Sequence, residues 1–209
     1  MTPSPCQRVG CVILAAGAGS RLGQPKPLLA LGGRPLVVRA AEAALASPAW
    51  PVVVVAGAHT AAIRSALAAL PVLVADNPAW AEGMASSLRA GLATLRCFSR
   101  EIDAAVFALC DQPHFRAEVI TRLIARQHAS GAGIVAARYG GRLGAPALFT
   151  SAHFGPLEFL QGDHGARDVI AAAYARGEAA AEEFPELALD IDTPADHARA
   201  RAALGLTEA

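Results

Sequence analysis

Short apolar runs alternate with helically spaced segments along most of the chain. Continuous apolar stretches at 9–16, 51–56, 72–75, 104–109 and 134–138 read as strands buried on both faces. Between them, 35–46, 60–70, 84–95 and 116–129 show the three-to-four-residue spacing of amphipathic helices. Pro35 stands near the start of the first helix, and Thr60 suits the N-cap of the second. This β-α-β-α order predicts an α/β fold with a mostly parallel sheet and helices on both faces. Ligands of such sheets bind beyond the carboxyl ends of the strands, so the residues just after each strand are the ones to examine.

The last third is less regular. A glycine-rich turn is expected at 140–144, a strand at 145–149, a second turn at 162–165 opening a helix at 166–174, and a short strand at 186–190. Thr193-Pro194-Ala195-Asp196 has the form of a helix start, with a capping threonine, proline at the first position and an acid at the third.

Composition narrows the classes. The 209 residues suggest one domain over 1–209, long enough to bury roughly 70% of the unfolded surface without disulfide or metal. Apolar residues make up 54%, yet runs such as 52–56 are far too short to span a bilayer. The net charge of zero argues against a general nucleic-acid binder. Cys6, Cys11, Cys97 and Cys110 form no zinc pattern, and Cys11 and Cys110 fall in strand runs as small core residues. The N-terminus lacks the features of a secretory signal, so a cytoplasmic location is expected. Among 18 basic residues there is one lysine, Lys26, and the chain has one asparagine, Asn77. Both fall in loops that follow strands.

The loop after the first strand carries Gly17, Gly19, Gly23, Arg21 and Lys26. Small residues let backbone N–H groups approach a polyphosphate, and the two cations offset its charge. The loop does not end in the Gly-Lys-Ser/Thr of a Walker A motif, nor do its glycines have dinucleotide-fold spacing. Asp111 follows the strand at 104–109, and Asp192 precedes the last helix. Two carboxylates from separate strand ends can hold one Mg²⁺ on a phosphate, while singly each also reads as a turn or helix-approach aspartate.

The segment LAAGAGSRLGQPKPLLALGGRPLV resembles the opening of the nucleotidyltransferases of molybdenum-cofactor and sugar-nucleotide synthesis, and most of all the molybdopterin cytidylyltransferase group. The resemblance implies a three-layer Rossmann-like fold with NTP on Leu14, Ala15, Ala16, Gly17, Gly19, Ser20, Arg21 and Lys26. Lys26, Arg21 and Asp111 would be catalytic. Asp111-Gln112-Pro113 and the 190–196 segment resemble the group's metal motifs, which assigns Mg²⁺ to Asp111 and Asp192, with Asp190 as the other choice. Base recognition is implied for the 76–92 segment, at Gly83 and Ser87; Asn77, singled out by its rarity, falls in the same segment and is also expected to bind the nucleotide.

Gly144-Ala145-Pro146 and Gly162-Asp163-His164-Gly165-Ala166-Arg167 resemble acceptor segments, implicating Gly144, Pro146, Asp163 and Arg167. Ala145 stands where the group usually has histidine. Arg167 has two readings, an acceptor-phosphate ligand or an ion-pair partner of Asp163 or Asp168. The implied reaction transfers CMP from CTP to molybdopterin or its molybdenum-loaded form, releasing pyrophosphate, with a recipient molybdoenzyme or its chaperone as a further partner. A transferase using another NTP or a sugar or polyol phosphate is the enzymatic alternative. A non-catalytic nucleotide-binding regulator or delivery protein is the alternative of another class.

Overall fold

The computed structural model describes residues 7–19, 23–163 and 165–206. Ser20 and Arg21, expected at the phosphates, lie outside the described residues. In chain order the elements are β1 (Val9–Ala15), β2 (Ala30–Leu31), β3 (Arg34–Pro35), α1 (Leu36–Leu45), β4 (Val52–Ala56), α2 (Thr60–Ala66), β5 (Leu73–Asp76) and α3 (Met84–Phe98). There follow β6 (Ala104–Leu109), α4 (Ala117–Ser130), β7 (Ile134–Tyr139), β8 (Arg142–Thr150), α5 (Phe154–Glu158), α6 (Arg167–Ala175), β9 (Ala179–Glu183) and α7 (Pro194–Ala203).

Seven strands form the main sheet in the order β5-β4-β1-β6-β8-β7-β9. β5, β4, β1 and β6 are mutually parallel, and β9 is parallel to β7. β8 is antiparallel to both its neighbours. The reversal follows from chain length: β7 and β8 are joined by Gly140 and Gly141 alone, too short for a crossover helix. Both glycines have positive φ, 55° and 74°, as a two-residue hairpin turn requires.

The alternation of side chains along each strand feeds two cores. Cys11, Ile13, Val52, Val54 and Val106 face α1, α2 and α4. Val12, Leu14, Val53, Val55 and Phe107 face α3, α5 and α6. Helix α3 lies very close to the sheet. A β-carbon on Gly91 would come within 2.3 Å of Val12 Cγ1 and 2.9 Å of Val55 Cγ2. No helix among the described residues is long and apolar enough to cross a membrane.

Three expectations need correction. The strand expected at 186–190 is absent. Pro185–Ala188 is a 3-10 turn that buries Leu187, and the strand lies earlier, at β9. Alanine-rich β9 reads as helix by propensity; Gly177, at φ 73°, ends α6 and pairing with β7 overrides the preference. The expected turn at 140–144 shrinks to two residues because β8 begins at Arg142. Thr60 is the first residue of α2 rather than its cap, and its hydroxyl donates to the Gly57 carbonyl at 3.0 Å.

Candidate active site

The carboxyl ends of β1 and β6 lie side by side, and Cys110 N–H donates to the Leu14 carbonyl across them. Beyond β1 the chain continues through Gly17, Ala18 and Gly19. Gly19 has φ 66°, and a β-carbon there would come within 2.4 Å of the Lys26 backbone nitrogen. Glycine therefore lets the loop fold back onto Lys26. The short 3-10 turn Lys26–Leu28 then directs the Lys26 side chain towards β6.

Lys26 Nζ donates to Asp111 Oδ2 at 2.9 Å and to Asp192 Oδ1 at 2.5 Å. These groups come from three segments far apart in sequence. Burial disfavours the lysine charge, but Asp111 and Asp192 outweigh it and hold the ammonium well above the ordinary lysine range. Asp192 reaches this position without a strand. Ile191 N–H donates to the Asp111 carbonyl at 3.0 Å, and Ile191 is buried with Leu29, Leu31 and Leu36.

The capping box expected at Thr193 forms: Asp196 N–H donates to Thr193 Oγ1, and Thr193 N–H donates to Asp196 Oδ2. Asp196 Oδ2 also accepts from Asp192 N–H at 3.2 Å, so the cap of α7 fixes the backbone of Asp192.

Two cavities meet here and share Leu14, Met84, Leu109 and Asp163 as a common wall. The first, about 380 Å³, is lined by residues 14–19, Lys26, Gly83, Ser87 and Asp111. Of the residues expected to hold a nucleotide, Leu14, Ala15, Ala16, Gly17, Gly19, Lys26, Gly83 and Ser87 line it. Asn77 does not. It is 4% exposed and lies behind the wall, with its amide spanning Ala79, Ser86 and Ser87.

The second cavity, about 330 Å³, has a floor of Leu88, Phe107, Phe149 and Ile170, with Arg142 and Arg167 also on its walls. Gly144, Asp163 and Arg167, expected to meet an acceptor, line it, whereas Pro146 is buried and outside the lining. Asp163 also ties the cavities together. Its Oδ1 accepts from Met84 N–H at 3.3 Å, and Gly162 O accepts from Ala85 N–H at 3.0 Å. Gly83, at φ 109°, leaves room for this contact, since a β-carbon would come within 2.5 Å of the Gly162 carbonyl carbon.

The sequence reading missed Tyr139 and Arg142, which flank the hairpin turn and line the second cavity. Their positions on either side of Gly140-Gly141 are the signal that would have found them. Asp190 lines the same cavity. Burial, then Asp111 and Asp192, push its pKa up to about 6. Asp111 Oδ1 and Asp190 Oδ1 are both buried without a hydrogen-bond partner. Cys110, beside Asp111, has its thiol pushed up by burial, which disfavours the thiolate.

Residues 11–179 match the family described as the MobA-like NTP transferase domain. Among curated proteins, nicotine blue oxidoreductase of Paenarthrobacter nicotinovorans is 40% identical over 124 residues, 59% of this chain and 58% of that protein. The match thus spans little more than half the length of that relative. Among solved structures, a homologue of Mycobacterium tuberculosis Rv0371c from Mycobacterium sp. strain JC1 is 28% identical, with a TM-score of 0.81 over 97% of this chain and 100% of that one. Rv0371c of M. tuberculosis H37Rv in complex with manganese is 26% identical, with a TM-score of 0.77 over 94% of this chain and 99% of that one. With the glycine loop, the paired carboxylates and a match over most of its length, this chain belongs to the MobA-like NTP transferase family.

Proposed function

We propose that the protein transfers a nucleoside monophosphate from an NTP to a phosphorylated acceptor, with CTP as donor and molybdopterin as acceptor. The observation that carries this reading is the convergence of Lys26, Asp111 and Asp192 at the glycine loop, beside the wall shared by two cavities. The first cavity would take the NTP and the second the acceptor, whose phosphate would meet Arg142 and Arg167. An acceptor phosphate oxygen forms a bond to the α-phosphorus, the bond from that phosphorus to the bridging oxygen breaks, and pyrophosphate leaves. No covalent enzyme intermediate is required. Lys26 and the backbone N–H groups of the loop would hold the phosphates in line and offset developing charge.

The donor set suits Mg²⁺. Asp111 offers a buried, unpartnered oxygen, and Asp192 faces Asp111 across the Lys26 ammonium. Among the described residues no group of three or more His, Cys, Asp or Glu side chains is placed to hold a metal ion. The remaining positions of a hard cation would fall to water and phosphate oxygens, as is usual for Mg²⁺. The ion would supply charge to the phosphates. The manganese complex of Rv0371c supports the choice of a divalent cation.

Pyrophosphate release with CTP, GTP, ATP and UTP, each with molybdopterin or a sugar phosphate, tests this reading. Transfer should need a divalent cation, and Lys26→Ala should lose about 2.7–4 kcal/mol of transition-state stabilisation. Near-normal turnover in that variant removes Lys26 from the chemistry. The 40% identity to nicotine blue oxidoreductase favours a second reading, oxidoreductase chemistry on a substrate held over the apolar floor of the second cavity. Oxidation of NADH or NADPH without pyrophosphate release would select it.

A further inference from the structure

Asn77 is the only asparagine in the chain and is 4% exposed, with every hydrogen of its amide committed. Ala79 N–H donates to one amide atom at 3.1 Å. A backbone N–H can only donate, so that atom is the oxygen, and the orientation of the amide is fixed. The NH₂ group therefore faces the serines. It donates to Ser86 Oγ at 2.8 Å and to Ser87 Oγ at 3.0 Å.

The two serines then differ. Ser86 Oγ passes its own proton to the Gly83 carbonyl at 2.8 Å, so both its roles are filled inside the protein. Ser87 Oγ accepts from Asn77, yet its proton has no acceptor among the described residues. Ser87 is 4% exposed and lines the first cavity. A buried hydroxyl that is already accepting has only its proton left to give, and leaving it unspent is costly.

We infer that Asn77 sets the polarity of Ser87, making it a hydrogen-bond donor into the first cavity, so that the ligand must present a bare acceptor there. Under the proposed nucleotide reading, on which this rests, the acceptor is a carbonyl oxygen or unprotonated ring nitrogen on the edge of the base. A base edge with N–H at that point would meet the hydroxyl hydrogen and be rejected. Asn77 is thus a positioning residue that selects through Ser87 without touching the ligand. Replacing the amide by a carboxylate reverses the polarity. In Asn77→Asp the Ser87 proton turns towards residue 77, and Ser87 offers the cavity lone pairs in place of a donor.

Calorimetric titration of CTP, UTP, GTP and ATP in the presence of Mg²⁺ tests this with wild type, Ser87→Ala, Asn77→Asp and the double variant. For the tightest nucleotide, Ser87→Ala should weaken binding about fivefold and Asn77→Asp about tenfold, as loss of one neutral hydrogen bond implies. On the Ser87→Ala background the Asn77→Asp change should cost no further affinity, since the hydroxyl it acts through is gone. A cost that persists undiminished on that background makes Asn77 a packing residue and overturns the inference. So does wild-type affinity in Ser87→Ala. If Asn77→Asp is too unstable to purify, Asn77→Ala, which frees Ser87 to donate or accept, should narrow the affinity gap among the four nucleotides and change nothing further on the Ser87→Ala background. Failure of wild type to bind any of the four nucleotides overturns the nucleotide reading itself; binding by wild type with an additive cycle overturns the polarity inference alone.

Discussion

Lys26 Nζ lies 2.5 Å from Asp192 Oδ1, and on its other side donates to Asp111. An ammonium therefore sits between the two carboxylates proposed to hold a divalent ion. The two cations compete for the same oxygens, and freeing Lys26 from them leaves it available to phosphate. Replacing Lys26 by methionine removes the competitor. In the absence of nucleotide, Lys26→Met should bind Mn²⁺ at least about tenfold more tightly than wild type, about 1.4 kcal/mol. Titration followed by the electron-spin resonance of free Mn²⁺ measures this directly, and unchanged or weaker binding would show that the two cations do not share a place.

Asp190 gives a pH signature. Its pKa is raised from 3.8 to about 6, first by burial and then by Asp111 and Asp192. The folded protein thus holds this proton more tightly than the unfolded chain does. Stability from this group is full below pH 3.8 and is lost as pH rises through about 6. Asp190→Asn should remove the loss, gaining up to about 3 kcal/mol near neutral pH and little near pH 4. Denaturant melts of both proteins without metal, at pH 4.5 and 7.5, give the difference. An equal gain at both pH values would assign the effect to something other than ionisation.

Gly91→Ala should destabilise the protein despite alanine's better helix propensity. The new methyl would sit 2.3 Å from Val12 Cγ1, on a central strand that cannot withdraw. Overpacking costs about 1–3 kcal/mol, against a propensity gain of about 1 kcal/mol. A raised midpoint in urea would mean that α3 rides further from the sheet than described.

The cap of α7 separates stability from metal binding. Thr193→Ala should cost about 1 kcal/mol through loss of the cap. Asp196→Ala removes, in addition, the acceptor of Asp192 N–H. It should therefore also weaken Mn²⁺ binding, several-fold beyond Thr193→Ala. Equal Mn²⁺ affinities in the two variants would detach the cap from the carboxylate.

The strands β1, β4 and β6 were legible because continuous apolar runs bounded by glycine or aspartate have few other readings in a chain of this kind. Lys26 and Asp111 were legible for a related reason: each is a charged residue just beyond such a run or its loop. Asp192 was placed by the resemblance, but the strand meant to deliver it does not exist. A hydrogen bond from Ile191 to the Asp111 carbonyl does that work, and no periodic pattern announces such a bond. β9 was missed because Ala179, Ala180 and Ala181 carry helical propensity and gain their conformation only from pairing with β7. Asn77 was read as a ligand contact because rarity marks importance without marking direction. Its amide points into the protein, to Ser86 and Ser87.

The reversed strand β8 divides the work of the sheet. Residues 16–19 and Asp111 follow parallel strands whose exits are tied to crossover helices. Tyr139 and Arg142 instead flank a two-glycine turn at the same rim. Lengthening or rewriting that turn need not disturb any crossover. The second cavity can therefore be remodelled by editing a hairpin tip, while the proposed triphosphate site next door stays as it is. A scaffold so divided can change what it modifies faster than how it modifies it.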